Sequence, residues 1–256
     1  MKLLSEEEVD SQAEREVVED TRDVIAGFDL ALQQAQSGNN PAAALSKLRQ
    51  DAFSLRTKVQ AVSINGLAPL IQRLDEYLEN TPELTKAAIA DVQTYVDRIS
   101  ALLDGEEVVQ AGEVARVVRE MPHRAVFNVG DVKITEVEAM VIMPQRSAAR
   151  AVQRELAACG YRTSVVTNPL EALGLIIETQ PDFVISAMIM PRISGADLCC
   201  ALAAMPATKH IPVAVLTSLE LDHPDLAQLP MTVGRIRRGS QFGDDLADVL
   251  QRFHIT

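Results

Sequence analysis

The 256-residue chain is short of the features that mark several large functional classes. It holds three cysteines, two of them adjacent (Cys199 and Cys200), too few for a disulfide framework and without zinc-site spacing. Adjacent cysteines on an apolar stretch read as small core residues. No run reaches the ~20 apolar residues of a membrane span. The start (Met1, Lys2, Leu3, Leu4, Ser5, then Glu6, Glu7 and Glu8) lacks the apolar stretch of a signal peptide. No Gly-rich phosphate loop or nucleophile elbow occurs, which argues against an enzyme. Positive charge is scarce: the net charge is −12, so electrostatics oppose general binding to nucleic acid. The dense basic cluster is Arg235, Arg237 and Arg238. Its side chains are open to three readings: a solvated edge, an anion site or a contact for an acidic partner. These absences point to a cytoplasmic protein with no membrane, nucleic-acid, metal or cofactor role.

What is present is apolar substance and clear periodicity. Hydrophobic residues make up 47% of the chain, ample for real cores, and the length suits two domains. Up to about Met121 the pattern is helical. Val17, Thr21, Val24, Phe28, Ala31 and Leu32 predict a long first helix over 6–36. Ser37 to Asn40 end it, and Pro41 suits the first turn of the next. Leu45, Leu48, Ala52, Leu55, Val59 and Val62 form the second stripe. Leu67, Leu70, Ile71, Leu74 and Leu78 form the third. A fourth restarts at Thr81 and Pro82 and carries Leu84, Ala88, Val92, Tyr95, Ile99 and Leu102. Short connections between amphipathic helices imply an antiparallel four-helix bundle. The acidic run from Glu6 to Asp23 reads as a solvated face or as an overhang through which two copies pair.

Residues 106–121 read as a further helix and 122–138 as a linker, with a short hairpin near Gly130 and Asp131. From Ala139 the period changes. Short apolar runs at 139–143, 163–166, 183–187, 213–217 and 233–236 alternate with helical stretches at 147–159, 169–179, 195–205 and 241–253. That alternation predicts an α/β domain with a doubly wound, five-stranded parallel sheet. The expected organisation is a bundle over 1–105, a connector over 106–138 and an α/β domain over 139–256.

The α/β half resembles the receiver domains of two-component response regulators. The resemblance rests on Glu155 to Tyr161, Pro169 to Leu173, Met190 with Pro191, Gly195, and Ile211 to Thr217. It implies a flavodoxin-like sheet in the order 2-1-3-4-5. In that family an acidic pair after the first strand and an aspartate ending the third hold Mg²⁺ while the aspartate accepts a phosphoryl group. Here the acidic pair aligns with Pro144 and Gln145, and the acceptor with Ala187. Thr217 matches the phosphate-sensing hydroxyl. Arg237 or Arg238 lies nearest the family's lysine, and the usual Lys-Pro pair is missing. A hard cation needs oxygen ligands and the reaction needs a carboxylate nucleophile, so this pocket is expected to be degenerate. Asp182 is no substitute, because it opens the strand, roughly 16 Å from Ala187 by strand rise, and reads as solvated. Ser186 is expected to point to the other face of the sheet.

Ala52 to Thr57, followed by Asn65, Gly66 and Leu67, resembles the core of histidine phosphotransfer domains. Phe53 stands where their phosphorylated histidine would be, Arg56 replaces a lysine, and Thr57 a glycine. At about 100° per residue, Phe53 lies about 130° from the centre of the apolar stripe, beside Arg49, Arg56 and Gln60. Two readings stay open: an exposed anchor for a partner, or a side chain buried under the 106–121 helix. The histidines, His123, His210, His223 and His254, all fall outside the bundle.

Taken together the resemblances imply a signalling adaptor that works without phosphorylation. Its partners would be histidine kinases, receivers or phosphotransfer proteins, with a homodimer through the first helix also open. Candidate interface residues are Arg49, Phe53 and Arg56 on the bundle and Arg146, Ser147 and Arg150 after the first strand. The alternative is a sensor that binds a nucleotide or another anion in the emptied acceptor pocket, at the strand ends where doubly wound sheets hold ligands.

Overall fold

The computed structural model describes residues 6–124 and 135–255. The chain divides into two compact units, 1–124 and 125–256, and each is described by itself.

In the first unit α1 (Glu6–Gln36), α2 (Pro41–Lys58), α3 (Leu67–Glu79) and α4 (Lys86–Leu103) pack in a ring, each on its neighbours, with α4 closing against α1. This is the expected four-helix bundle, and its core is the set of predicted stripes, from Phe28 and Leu48 to Leu74 and Ile99. The α1–α2 reversal is local chemistry. Gly38 and Asn40 both take positive φ, and the Asn40 side chain accepts a hydrogen bond from the Ala43 N–H at 3.3 Å, with Pro41 opening the helix.

Two helix ends differ from expectation. Helix α2 stops at Lys58 and tightens into a 3-10 turn over Val59–Ala61, so Val62 falls outside its stripe. Helix α4 starts at Lys86 rather than near Pro82, because the Thr85 hydroxyl caps it by accepting from the Ala88 N–H. Thr81 belongs to the end of α3 instead, its buried hydroxyl donating to the Tyr77 carbonyl at 2.7 Å.

The connector expected over 106–138 is divided. Val109, Met121 and the helix α5 (Val114–Glu120), with its Val114, Val117 and Val118, join the bundle's own core, with α5 packed on α3. That third cover explains why α3 is buried almost all round, including the polar Gln72, Arg73 and Asp75. Residues 125–134, with the hairpin expected near Gly130, lie outside the described residues.

The second unit runs β1 (Glu138–Ile142), α6 (Arg146–Ala158), β2 (Arg162–Val166), α7 (Pro169–Thr179), β3 (Phe183–Ala187), α8 (Gly195–Ala204), β4 (Val213–Thr217), β5 (Gly234–Arg237) and α9 (Phe242–Phe253). All neighbouring strands pair in parallel, in the order 2-1-3-4-5. This is the flavodoxin-like α/β sheet read from the sequence. The three central strands are buried along their whole length, as unbroken apolar runs covered on both faces must be.

Strand β5 starts one residue later than expected, since Val233 ends a turn by donating its N–H to Pro230. Gly234 is required where it stands: a Cβ there would lie 2.9 Å from Val249 Cγ1 and 3.0 Å from Ala214 Cβ, so its absence lets α9 settle on the sheet. The β4–β5 crossover holds no α-helix among the described residues. A 3-10 turn over Pro224–Leu226 and the buried Leu226 and Leu229 cover the sheet there.

Candidate functional site

The register brings the ends of β1, β3, β4 and β5 level: Ile142 lies beside Ser186, Ala187 beside Leu216, and Thr217 beside Arg237. Beyond these ends opens a cleft of about 830 Å³, lined by Pro144, Gln145, Ala187, Thr217 and Arg238 of the predicted set. Its remaining wall is mostly apolar, with Met143, Met188, Ile189, Met190, Leu216 and Leu219 prominent.

The loop after β3 forms one wall, and Gly195 permits its course. The Gly195 N–H donates to the Met188 carbonyl at 2.9 Å, and a Cβ at Gly195 would sit 2.1 Å from the Ala187 carbonyl oxygen. Ser194 then caps α8 by accepting from the Asp197 N–H, while Asp197 reaches back to the Ser194 N–H. At the other wall Thr217 is buried, and its hydroxyl accepts the Leu219 N–H at 3.0 Å, which turns the chain out of β4. The hydroxyl therefore shapes the cleft as well as lining it.

Arg237 does not reach the cleft. Its Nε and Nη2 donate to the two carboxylate oxygens of Asp245 on α9, each at 2.8 Å. This pairing raises the Arg237 guanidinium's pKa and holds the Asp245 carboxyl below the usual carboxylate range. Arg238 is the cation that faces the cleft; its backbone N–H donates to the Thr217 carbonyl at 2.8 Å. Arg235 is bound differently again, with Nη2 donating to the Leu226 carbonyl at 3.1 Å. The three-arginine cluster thus separates by partner: Arg235 and Arg237 lie on the same face of β5 but bind the Leu226 carbonyl and Asp245 respectively, while Arg238 follows the strand's end.

The donor set does not fit the family's Mg²⁺. Pro144 and Ala187 have no side-chain oxygen, Gln145 has one amide oxygen, and the acidic lining residue, Asp225, comes from the β4–β5 crossover. Among the described residues no group of three or more His, Cys, Asp or Glu side chains is placed to hold a metal. Asp182 lies at the opposite end of the sheet. It is half-buried rather than solvated, because its carboxylate accepts the Glu138 N–H at 2.9 Å and joins β3 to β1. Ser186 is fully buried, and its hydroxyl donates to the Ala187 carbonyl at 3.3 Å.

On the bundle, Phe53 is 51% exposed, so α5 does not cover it. The Arg56 guanidinium lies 5.3 Å from the Phe53 ring centroid and also pairs with the buried Asp75 at 2.9 Å. Arg49 donates to the carbonyls of Leu78 (2.9 Å) and Thr81 (2.5 Å), tying α2 to the end of α3. Both arginines were expected at a partner surface. The structure engages them within the unit, because their stems leave α2 on the side that meets α3. Arg146, Ser147 and Arg150 are exposed on α6, as an interface there requires.

Comparison with known proteins bears on the second unit. The chain is 30% identical over 82 residues to the response regulator MprA of Mycobacterium sp. (strain KMS), which is 32% of this chain and 35% of that protein. The chain contains a receiver-like domain. It is also 28% identical over 81 residues to the response regulator PleD of Caulobacter vibrioides, 18% of whose length is covered. The chain thus spans about a third of the first relative's length and under a fifth of the second's. Among solved structures it is similar to the signal receiver domain of a signal transduction histidine kinase from Syntrophus aciditrophicus (28% identity, 46% of this chain, 89% of that one, TM-score 0.40). It is similar too to the chemotaxis response regulator CheY4 of Vibrio cholerae (21% identity, 46% and 98% covered, TM-score 0.39). No family model matches the chain.

The receiver-like domain has features that sequence reasoning passed over. The apolar character of the cleft was missed, although Met143, Met188 and Ile189 all border positions already singled out. Ile189 is 88% exposed, and an isoleucine in a loop directly after a strand was a visible signal. The Arg237–Asp245 pair had no such signal, since its members lie on different elements.

Proposed function

We propose that this chain is a two-component signalling protein that works by docking to phosphorelay partners and does not itself carry a phosphoryl group. The observation that carries this reading is the composition of the strand-end cleft: proline, glutamine and alanine stand where a receiver-like site needs three carboxylates. Phosphoryl transfer to a receiver requires a nucleophile and a metal cage, and these side chains supply neither. The bundle's resemblance to histidine phosphotransfer domains supports the same reading, because Phe53 at the position of the phosphorylated histidine has no group to accept phosphate.

The partners would be histidine kinases, receivers or phosphotransfer proteins, engaged by competition or scaffolding. Phe53 is the exposed aromatic on the bundle, and Arg146, Ser147 and Arg150 are exposed near the start of α6. Helix α1 is a further candidate, as a homodimer contact. At 31 residues it is far longer than the 18-residue α2 beside it, and Val17 and Val18 are only half-buried.

The test is phosphotransfer with purified components. The full chain is incubated with radiolabelled acetyl phosphate and Mg²⁺, and separately with an autophosphorylated histidine kinase. The expected result is no stoichiometric label on the chain, together with slower transfer from that kinase to its receiver. Stoichiometric labelling would overturn the reading.

A second reading is favoured by the cleft's place. It lies at the carboxyl ends of a doubly wound sheet, where such folds bind ligands, and Arg238 faces it. In this reading the receiver-like domain is a sensor of an anionic small molecule.

A further inference from the structure

We propose that the strand-end cleft binds a small amphipathic monoanion, an apolar body seated against Met188, Ile189 and Leu219 with a single acid group held by Arg238. This deepens the second reading above and rests on it; docking through Phe53 or α6 does not depend on it.

The cleft's size comes first. At about 830 Å³ it falls within the ~300–1,000 Å³ range of sites for small organic molecules. An inorganic phosphate, the expected occupant of a working acceptor pocket, would leave most of it unfilled. The lining comes second. Met188, Ile189 and Leu219 present apolar surface, with Met143, Met190 and Leu216 buried in the wall behind them, and the thioether side chains can adjust to an irregular hydrocarbon shape. Ile189 stands at the mouth with 88% of its surface open to water, surface that an apolar ligand would cover.

Charge then sets the polar end. Arg238 is the cationic lining residue, and its guanidinium has no acidic partner among the described residues. Arg237, by contrast, is held by Asp245 and points elsewhere. Asp225 is the acidic lining residue, 3.8 Å from His223 Nδ1 and largely exposed. One arginine opposed by one aspartate suits a single negative charge and disfavours a polyanion such as a nucleoside triphosphate. No aromatic side chain lines the cleft among the described residues, so a nucleobase would find no ring to stack on. The ligand class is therefore a carboxylate or sulfonate on an apolar body, not the nucleotide that the fold alone suggested.

The experiment uses the full chain and 1-anilinonaphthalene-8-sulfonate, an apolar body with one sulfonate, followed by fluorescence at pH 7. The expected result is saturable enhancement at one probe per chain, reversed by decanoate and not by inorganic phosphate or ATP. Ile189→Asp and Arg238→Ala should each weaken the probe by about fivefold or more, with unfolding transitions unchanged because both positions are exposed. Leu30→Asp, at an exposed apolar position in the other unit, should leave binding unchanged. The proposal is overturned by the absence of saturable enhancement, by binding that neither cleft variant affects, by loss in Leu30→Asp, or by ATP displacing the probe more effectively than decanoate. None of these readouts involves a kinase, so failure here is separate from failure of the docking reading.

Discussion

Arg237 and Asp245 form a three-point clasp between the last strand and the last helix: two guanidinium nitrogens and the Arg237 backbone N–H all donate to one carboxylate, each at 2.8 Å. The backbone bond also occupies an outward N–H of an edge strand, which would otherwise be open to pairing with another chain. With Gly234 admitting α9 against β5, the clasp fastens the open side of the sheet, where the crossover before it holds no α-helix.

The clasp makes a pH prediction. The guanidinium holds the Asp245 carboxyl below its ordinary value, so the folded-state pKa lies under the unfolded one, near ~3.9. The stabilisation is fully present above the unfolded value and is lost as pH falls through the folded one. Asp245→Asn should lower the second unit's unfolding temperature at pH 7 by roughly 5 °C, and the gap to wild type should narrow as the pH falls below the unfolded carboxyl's value. Calorimetry across pH checks both parts.

Adding a single carboxylate to the cleft should not make it a phosphoryl acceptor. Ala187 is 2% exposed on the cleft floor, and Ala187→Asp places a carboxylate there without metal-binding neighbours at 144 and 145. The variant is expected to be destabilised by about 1–3 kcal/mol, the cost of a poorly partnered buried polar group. It should remain unlabelled by acetyl phosphate with Mg²⁺. Urea unfolding and radiolabel counting give the two readouts.

Two positions on α2 should separate stability from docking. Leu48 is fully buried, and Leu48→Ala should cost about 2–5 kcal/mol. Phe53 is half-exposed, so Phe53→Ala should cost under about 1 kcal/mol while relieving the inhibition of kinase-to-receiver transfer that the docking proposal expects. Denaturant titration and the transfer assay, run on the same preparations, distinguish the two effects.

Gly195 should tolerate no side chain. A Cβ 2.1 Å from the Ala187 carbonyl forces the loop and α8 apart, so Gly195→Ala is expected to destabilise the second unit by about 1–3 kcal/mol. The matched change Gly174→Ala, where a Cβ meets nothing within 4 Å on α7, should be neutral or stabilising. Thermal unfolding of the pair tests this.

Thiol reactivity should order by burial. Cys199 is fully buried and its thiol is pushed up to about 12, mainly by desolvation, whereas Cys159 is exposed on the turn after α6. At pH 8 a thiol-specific reagent should modify Cys159 in the folded protein well before Cys199. Mass mapping of the modified residues checks the order.

Much of this was legible in the linear order of residues. Stripes such as Leu45, Leu48, Ala52 and Leu55 specify amphipathic helices, and runs such as Phe183 to Ile185 specify strands covered on both sides. These periods follow from backbone geometry, which is local. That Pro144, Gln145 and Ala187 carry no carboxylate is likewise a matter of residue identity alone. Tertiary structure decided which side chains remain available. In sequence Arg49, Arg56 and Arg237 were all open to outside partners, yet the first is engaged by the Leu78 and Thr81 carbonyls, the second by Asp75 and the third by Asp245, while Arg238 is left at the cleft. Tertiary structure also assigned α5 to the bundle and joined Met143, Ile189 and Leu219 into one apolar wall. Such partnerships join residues far apart in the chain, so they depend on how the elements pack, which no local period encodes.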